Sequence, residues 1–250
     1  MSFKARLRGR ELLVGTFQKT PSPMICEVFG RSELDVICLD AEHSPFDRGD
    51  INDCILALKH SRKPSLVRIP ANHPEYILNA LDCGADGVLV PHVMTGEDAS
   101  GVARAAHFGS GRGYAGSTRA AGYGARSMAD HKRLSAQETV AIAQIEDAHA
   151  LDHLDDILVT EAIDAFFIGR ADLSVSLGAD GPNAPEVIEA VEMICRKGSE
   201  RGVTIGMFTA NLSEIPKWRD IGASLFLLGS DHGFMLDGAK TMLANVKSGN

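Results

Sequence analysis

"VICLDAEHSPFDRG" (36–49) begins with four apolar residues in five and then sets Asp40, Glu42 and His43 within four positions. Its apolar residues do not alternate with polar ones, which is the pattern of a strand covered on both faces. Runs of the same kind recur: "LLVGTF" (12–17) before it, then "SLVRIP" (65–70), "GVLVPHV" (87–93), "VAIAQIED" (140–147), "AFFIGRAD" (165–172), "TIGMFTA" (204–210) and "LFLLGSD" (225–231). Helical patterns lie between them, such as "PEYILNALDCG" (74–84) and "PEVIEAVEMICRKGSERG" (185–202). The second has Val187, Ile188, Val191, Ile194 and Cys195 at three- and four-residue spacing and stops at a glycine. Eight strand–helix units in 250 residues predict a single-domain TIM (β/α)8 barrel spanning 1–250. A doubly wound open sheet would close with about five or six strands.

With 44% hydrophobic residues the chain can build a large core, and a formal charge of -8 argues against nucleic-acid or anionic-membrane partners, which need a basic face. Small molecules are the expected partners. The five cysteines are scattered and never form C-x-x-C, so neither a disulfide framework nor a zinc knuckle is indicated. No apolar run is long enough for a signal or membrane segment, and a cytoplasmic location is expected. The stretch at about 109–133, "GSGRGYAGSTRAAGYGARSMADHKR", lacks apolar periodicity and reads as a mobile loop. It has no G-x-x-x-x-G-K-[ST] and no G-x-G-x-x-G following a strand, so a lid or subunit contact is a better reading than a phosphate cradle.

Barrel enzymes build their sites at the C-terminal ends of the strands. The polar residues there are Asp40, Glu42 and His43, Arg68, His92, Glu146 and Asp147, Asp172, and Asp231 with His232. Glu146 and Asp172 follow adjacent strands, which lie about 4.8 Å apart, so both carboxylates can grip one Mg2+, Mn2+ or Co2+. Capping of the next helix is the structural alternative for each. For Arg68 the alternative is a structural ion pair, and for His43 a satisfied structural histidine. His149 and His153, at i and i+4 on an acidic helix, read as a solvated face.

"LDAEHSPFD", "LVRIP", "LDCGADGVLVPHV", "AQIEDAHAL", "FIGRADLSVSLG" and "LLGSD" together resemble, in order and over nearly the whole chain, the metal-dependent pyruvate aldolases of the HpcH/HpaI family. The resemblance implies a TIM barrel that cleaves 4-hydroxy-2-oxo acids, assembled as a hexamer (a trimer of dimers) with the last helix exchanged between neighbours. It implies Glu146 and Asp172 as metal ligands, Arg68 as the residue holding the pyruvate oxygen, and His43 paired with Asp82 as the acid–base system. The Gly169–Asp172 segment, including Ala171, is expected to hold the pyruvate carboxylate. Two departures are visible: Arg170 stands where relatives carry proline, and the "RGYAGSTRAAGYG" loop differs from the commoner small-residue version. Arg170, Ser117 and Arg119 are therefore candidate contacts with the second substrate. Asp40 and Glu42 are expected to orient His43, its water network or a neighbouring subunit rather than to bind metal.

Three rivals remain. A Schiff-base aldolase needs a lysine at a strand end, and Lys19, Lys59 and Lys63 are poorly placed for that role by sequence. An acyl-CoA lyase on the same barrel would share the metal carboxylates. A non-catalytic 2-oxo-acid-binding barrel would use the acidic residues only as caps.

Overall fold

A computed structural model describes residues 1–248. Its eight strands are β1 (Leu13–Gln18), β2 (Val36–Asp40), β3 (Ser65–Arg68), β4 (Gly87–Val90), β5 (Val140–Ile145), β6 (Ala165–Ile168), β7 (Ile205–Phe208) and β8 (Ala223–Ser230). All neighbours pair in parallel, and β8 closes on β1 in a barrel ordered as the chain runs. Each strand falls on one of the eight apolar runs. The covered-on-both-faces reading is correct for a physical reason: side chains alternate between the barrel interior and the helical layer, and both environments exclude water.

Val36, Cys38, Leu66, Leu89, Ile142, Phe167, Leu225 and Leu227 belong to the interior cluster. Ile37, Leu39, Val67, Val88, Ala143, Phe166 and Ile168 join the larger cluster between sheet and helices. Phe3 and Leu7, on the short helix Phe3–Arg8, close the N-terminal end of the barrel, where Thr204 Oγ1 donates to the Leu7 carbonyl at 2.6 Å. Two connecting helices start in capping boxes, Asp47 with Asp50 and Thr95 with Asp98, which satisfy first-turn N–H groups that the helix cannot pair itself.

The glycine-rich stretch is shorter than the sequence reading has it. Helix Met128–Glu138 begins inside it, started by Ser127, whose side chain accepts from the Asp130 N–H. Its weak apolar pattern hides the helix, since only His131 and Ser135 are buried. The last helix, Asp231–Ser248, leaves Phe234, Met235, Leu236, Met242, Leu243 and Val246 exposed on a single chain.

Candidate active site

Strand alternation determines which polar residues enter the mouth. Along β2, Val36 and Cys38 face inward, so Asp40 does too; along β3, Leu66 faces inward and Arg68 follows it. Asp40 and Arg68 are also register partners. They form a bidentate pair, Arg68 Nε to Oδ1 at 2.9 Å and Nη2 to Oδ2 at 2.8 Å. Lys19 Nζ, on the loop after β1, lies 2.9 Å from the same Oδ2, and the His43 peptide N–H donates to Oδ1 at 3.2 Å. Burial opposes the charge on Asp40, but Arg68, Lys19 and that N–H outweigh it and hold the carboxyl at about 2. The guanidinium lies 4.5 Å over the Phe17 ring, and among the described residues its Nη1 has no hydrogen-bond partner.

On β5 the inward residues Val140 and Ile142 lead to Gln144 and Glu146. Glu146 is 1% exposed and accepts from Gln144 Nε2 and, at 2.9 Å, from the His92 peptide N–H. His92, just past β4, has φ +54, so its backbone and its ring both reach this corner. Its Nδ1 is 3.0 Å from Asp147 Oδ2 and 3.6 Å from Glu146 Oε1, while its Nε2 is 3.8 Å from Glu42 Oε1. The other Glu42 oxygen, Oε2, is buried and has no hydrogen bond among the described residues; it lies 3.3 Å from Arg68 Nε without the alignment of one, and 3.9 Å from His43 Nε2.

Burial pushes the Glu42 carboxyl up to about 7, with Glu146 adding to the rise and Arg68 and His92 opposing it. Burial raises Glu146 as well, reinforced by Asp172 and opposed by the Gln144 and His92 donors. Burial lowers His92, but Asp147, Glu146 and Glu42 outweigh it and leave the imidazole raised. One ligand atom each from Glu42, His92 and Glu146 lies within 4.8 Å of the others. Two buried carboxylates facing one another, one with an orphaned oxygen, fit a divalent cation, and an oxygen-dominated set suits Mg2+, Mn2+ or Co2+.

The expected residues divide into those that meet here and those that do not. His43 is at the mouth, its side chain 51% exposed. Asp172 sits half-buried in the first turn of helix Arg170–Ser176 after β6, near enough to raise Glu146 yet outside the Glu42–His92–Glu146 cluster. Neither Glu146 nor Asp172 caps the helix beside it: Asp147 and Gly169 are the N-caps and make no side-chain capping bond, and the Ala148 N–H is taken by Ser176 Oγ at 2.8 Å. Gly169 gives its N–H to the Ile145 carbonyl at 3.1 Å, and a Cβ there would overlap the Glu146 carboxylate. It lets β6 close onto Glu146 and leaves the first-turn N–H groups of Ala171 and Asp172 outside the helix's own pairing.

Other candidates lie elsewhere within one chain. Arg170 is buried, its guanidinium bonded to Glu214 at 2.6 Å, Asn183 at 2.8 Å and the Pro182 carbonyl at 2.9 Å, so its side chain braces two loops. Asp82 ends helix Pro74–Asp82 in the outer layer, 3.5 Å from Arg112, and is not brought to His43. Ser117 and Arg119 lie beside Asp82 against helix Arg48–His60, where Arg119 bonds Asn52 at 2.9 Å. The sequence reading places Glu42 and His92 among the strand-end residues but expects Glu42 to orient His43 and gives His92 no ligand role, whereas the structure sets both beside Glu146. The signal was available for Glu42, which extends the inward parity of β2, but not for His92, whose turn breaks that parity.

A model of the HpcH/HpaI aldolase/citrate lyase family matches residues 13–237. The chain belongs to this family. Among similar curated proteins, a hydroxypyruvate/pyruvate aldolase of Paraburkholderia phytofirmans is 30% identical, over 98% of this chain and 97% of its own. A 5-keto-4-deoxy-D-glucarate aldolase of an Enterobacter species is 32% identical, over 98% and 96%. The crystal structure of an HpcH/HpaI aldolase/citrate lyase family protein from Burkholderia cenocepacia superposes with a TM-score of 0.92 at 31% identity, covering 98% of both chains. Family and relatives together indicate an aldolase-type lyase. No helix among the described residues is long and apolar enough to cross a membrane.

Proposed function

We propose that this HpcH/HpaI member is a metal-dependent class II aldolase that reversibly cleaves a 4-hydroxy-2-oxo acid into pyruvate, or a related 2-oxo acid, and an aldehyde. The observation that carries this reading is the pairing, at one barrel mouth, of a guanidinium fixed by Asp40 with two buried carboxylates whose ionisation is disfavoured. A neutral binding barrel has no reason to keep such a cluster, because isolated buried charge is costly. The names of the relatives, which act on hydroxypyruvate, pyruvate and a keto-deoxy sugar acid, support the same substrate class.

Glu146 and Asp172, with Glu42 and His92 beside them, would hold the divalent cation, Mg2+, Mn2+ or Co2+. When bound, the cation acts as a Lewis acid for the negative charge that develops on the 2-oxo oxygen. Arg68 turns its unpaired Nη1 toward that oxygen, and because Asp40 fixes the guanidinium plane, little reorganisation is needed as charge grows there. The first-turn N–H groups of Ala171 and Asp172 receive the substrate carboxylate, while Gly169 shapes the turn. His43 takes the C4 hydroxyl proton as the C3–C4 electron pair moves into the pyruvate enolate, and proton return to C3 completes the cleavage.

Pairing of His43 with Asp82 requires a second copy of the chain, because within one chain Asp82 belongs to Arg112. The apolar residues exposed on helix Asp231–Ser248 support a homo-oligomer; the hexamer, a trimer of dimers with that helix exchanged, is what the family resemblance implies. Ser117 and Arg119, beside Asp82, would then face a neighbour's aldehyde subsite rather than their own. The test is pyruvate release from a racemic 4-hydroxy-2-oxo acid, coupled to lactate dehydrogenase, on EDTA-stripped protein with and without Mg2+, Mn2+ or Co2+. Metal-restored turnover that vanishes in Glu146→Ala is the expected result, and borohydride with pyruvate should leave Lys19 unmodified. Metal-independent turnover with borohydride trapping refutes it. The family description also covers citrate lyase, so cleavage of a malyl-CoA-like thioester in place of the oxo acid would favour the acyl-CoA reading.

A further inference from the structure

The geometry points to His92 as a nitrogen ligand of the cation at this mouth, oriented by Asp147 and acting with Glu42 and Glu146, so that the site prefers a borderline ion such as Co2+ or Zn2+ over Mg2+. This deepens the metal-dependent reading above and rests on it. Five observations converge. The His92 ring contributes to a cluster in which single atoms of Glu42, His92 and Glu146 lie within 4.8 Å of one another. Asp147 Oδ2 sits 3.0 Å from Nδ1, so a proton on Nδ1 is donated to Asp147 and the Nε2 lone pair is left for another partner. That Nε2 looks toward Glu42 Oε1 at 3.8 Å, too far for a direct hydrogen bond. A carboxylate on one imidazole nitrogen and an open second nitrogen is the arrangement that orients metal-bound histidines.

The other two observations concern what the cluster lacks and what holds it. Glu42 Oε2, on a side chain only 8% exposed, has no hydrogen bond among the described residues, its one cationic neighbour being Arg68 Nε at 3.3 Å without the alignment of a hydrogen bond. His92 has φ +54, a region that side chains other than glycine's seldom occupy. This backbone lets the His92 N–H hold Glu146 Oε1 at 2.9 Å while its ring stands 3.6 Å from the same oxygen. A backbone strained at a site is retained where the surroundings use it. Imidazole binds Co2+ and Zn2+ better than Mg2+, which demands oxygen ligands, so this residue would set metal choice.

The experiment compares wild type with His92→Asn, which tolerates a left-handed backbone, His92→Gly, which removes the strain, and Glu146→Ala, all as full-length stripped protein. Co2+ binding is followed by visible absorbance, Zn2+ by competition with a chromophoric chelator, Mg2+ by calorimetry, and Cu2+-loaded protein by electron paramagnetic resonance. Both His92 variants should lose about 10- to 100-fold in Co2+ and Zn2+ affinity, keep wild-type Mg2+ affinity, and lose the imidazole-nitrogen coupling seen in wild type. Absence of nitrogen coupling in the wild type, or an equal loss for Mg2+ and Co2+, overturns the assignment. Glu146→Ala separates the two levels of inference. If it abolishes Co2+ binding while the His92 variants bind normally, only the role of His92 fails. If Glu146→Ala itself binds Co2+ normally, the metal site fails with it.

Discussion

Replacing Glu42 by glutamine tests the electrostatics of the mouth at nearly constant side-chain shape. The Glu42 carboxyl stands at about 7 in the folded chain against an ordinary 4.5, chiefly because it is buried. It therefore holds its proton more tightly folded than unfolded, and this contribution to stability is complete below pH about 4.5 and lost as pH rises through 7. At about 1.4 kcal/mol per pH unit, the gap amounts to about 3 kcal/mol. Glu42→Gln removes the ionisation but keeps the shape, so stripped Glu42→Gln should be more stable than stripped wild type by up to about 3 kcal/mol at pH 8 and equal to it at pH 4. Urea unfolding at the two pH values, in EDTA, measures the difference. Saturating Mn2+ or Co2+ should reverse the order at pH 8, because the wild-type carboxylate then has a cation to face and the amide contributes no charge. Equal stability at pH 8 without metal, or a variant that is less stable there, refutes the reasoning.

Asp40→Asn takes the bidentate partner from buried Arg68, leaving it only Glu42 at 3.3 Å, and removes the partner of half-buried Lys19, so it should destabilise the protein by about 3 kcal/mol in urea unfolding. The folded-state value of about 2 for Asp40 places its contribution above pH about 4 and its loss as pH falls toward 2, so an acid titration of wild type should show a loss in that range that the Asp40→Asn variant lacks. Gly169→Ala drives a methyl into the Glu146 carboxylate and should weaken Co2+ binding by more than tenfold, about 1.4 kcal/mol, in the absorbance titration. Arg170→Met breaks the bonds to Glu214, Asn183 and Pro182 and should lower the unfolding free energy by about 2–4 kcal/mol, with the KM for the oxo acid unchanged at a temperature where the variant is folded. A raised KM at full stability would return Arg170 to the substrate.

The barrel was legible in the chain because its strands are buried on both faces and so announce themselves as unbroken apolar runs, "VICLD" and "VAIAQI" among them. The inward positions of Asp40, Arg68 and Glu146 follow from the same two-residue period, counted on from Cys38, Leu66 and Ile142. Helix Met128–Glu138 was not legible, because a helix that buries only a histidine and a serine carries no apolar stripe. Nor was the use of Arg170, since its partners lie 12 to 44 residues further along and meet only when β6 and the following loops pack together. The sequence by itself determined the number of units, the kind of barrel and the chemical character of its rim. Only the tertiary structure decided which rim residues face each other. It bound Arg68 to Asp40, turned His92 onto Glu146 through a left-handed backbone, and carried Asp82 to the outer layer, because side-chain direction past a strand end depends on the turn and on the neighbouring strand rather than on spacing along the chain.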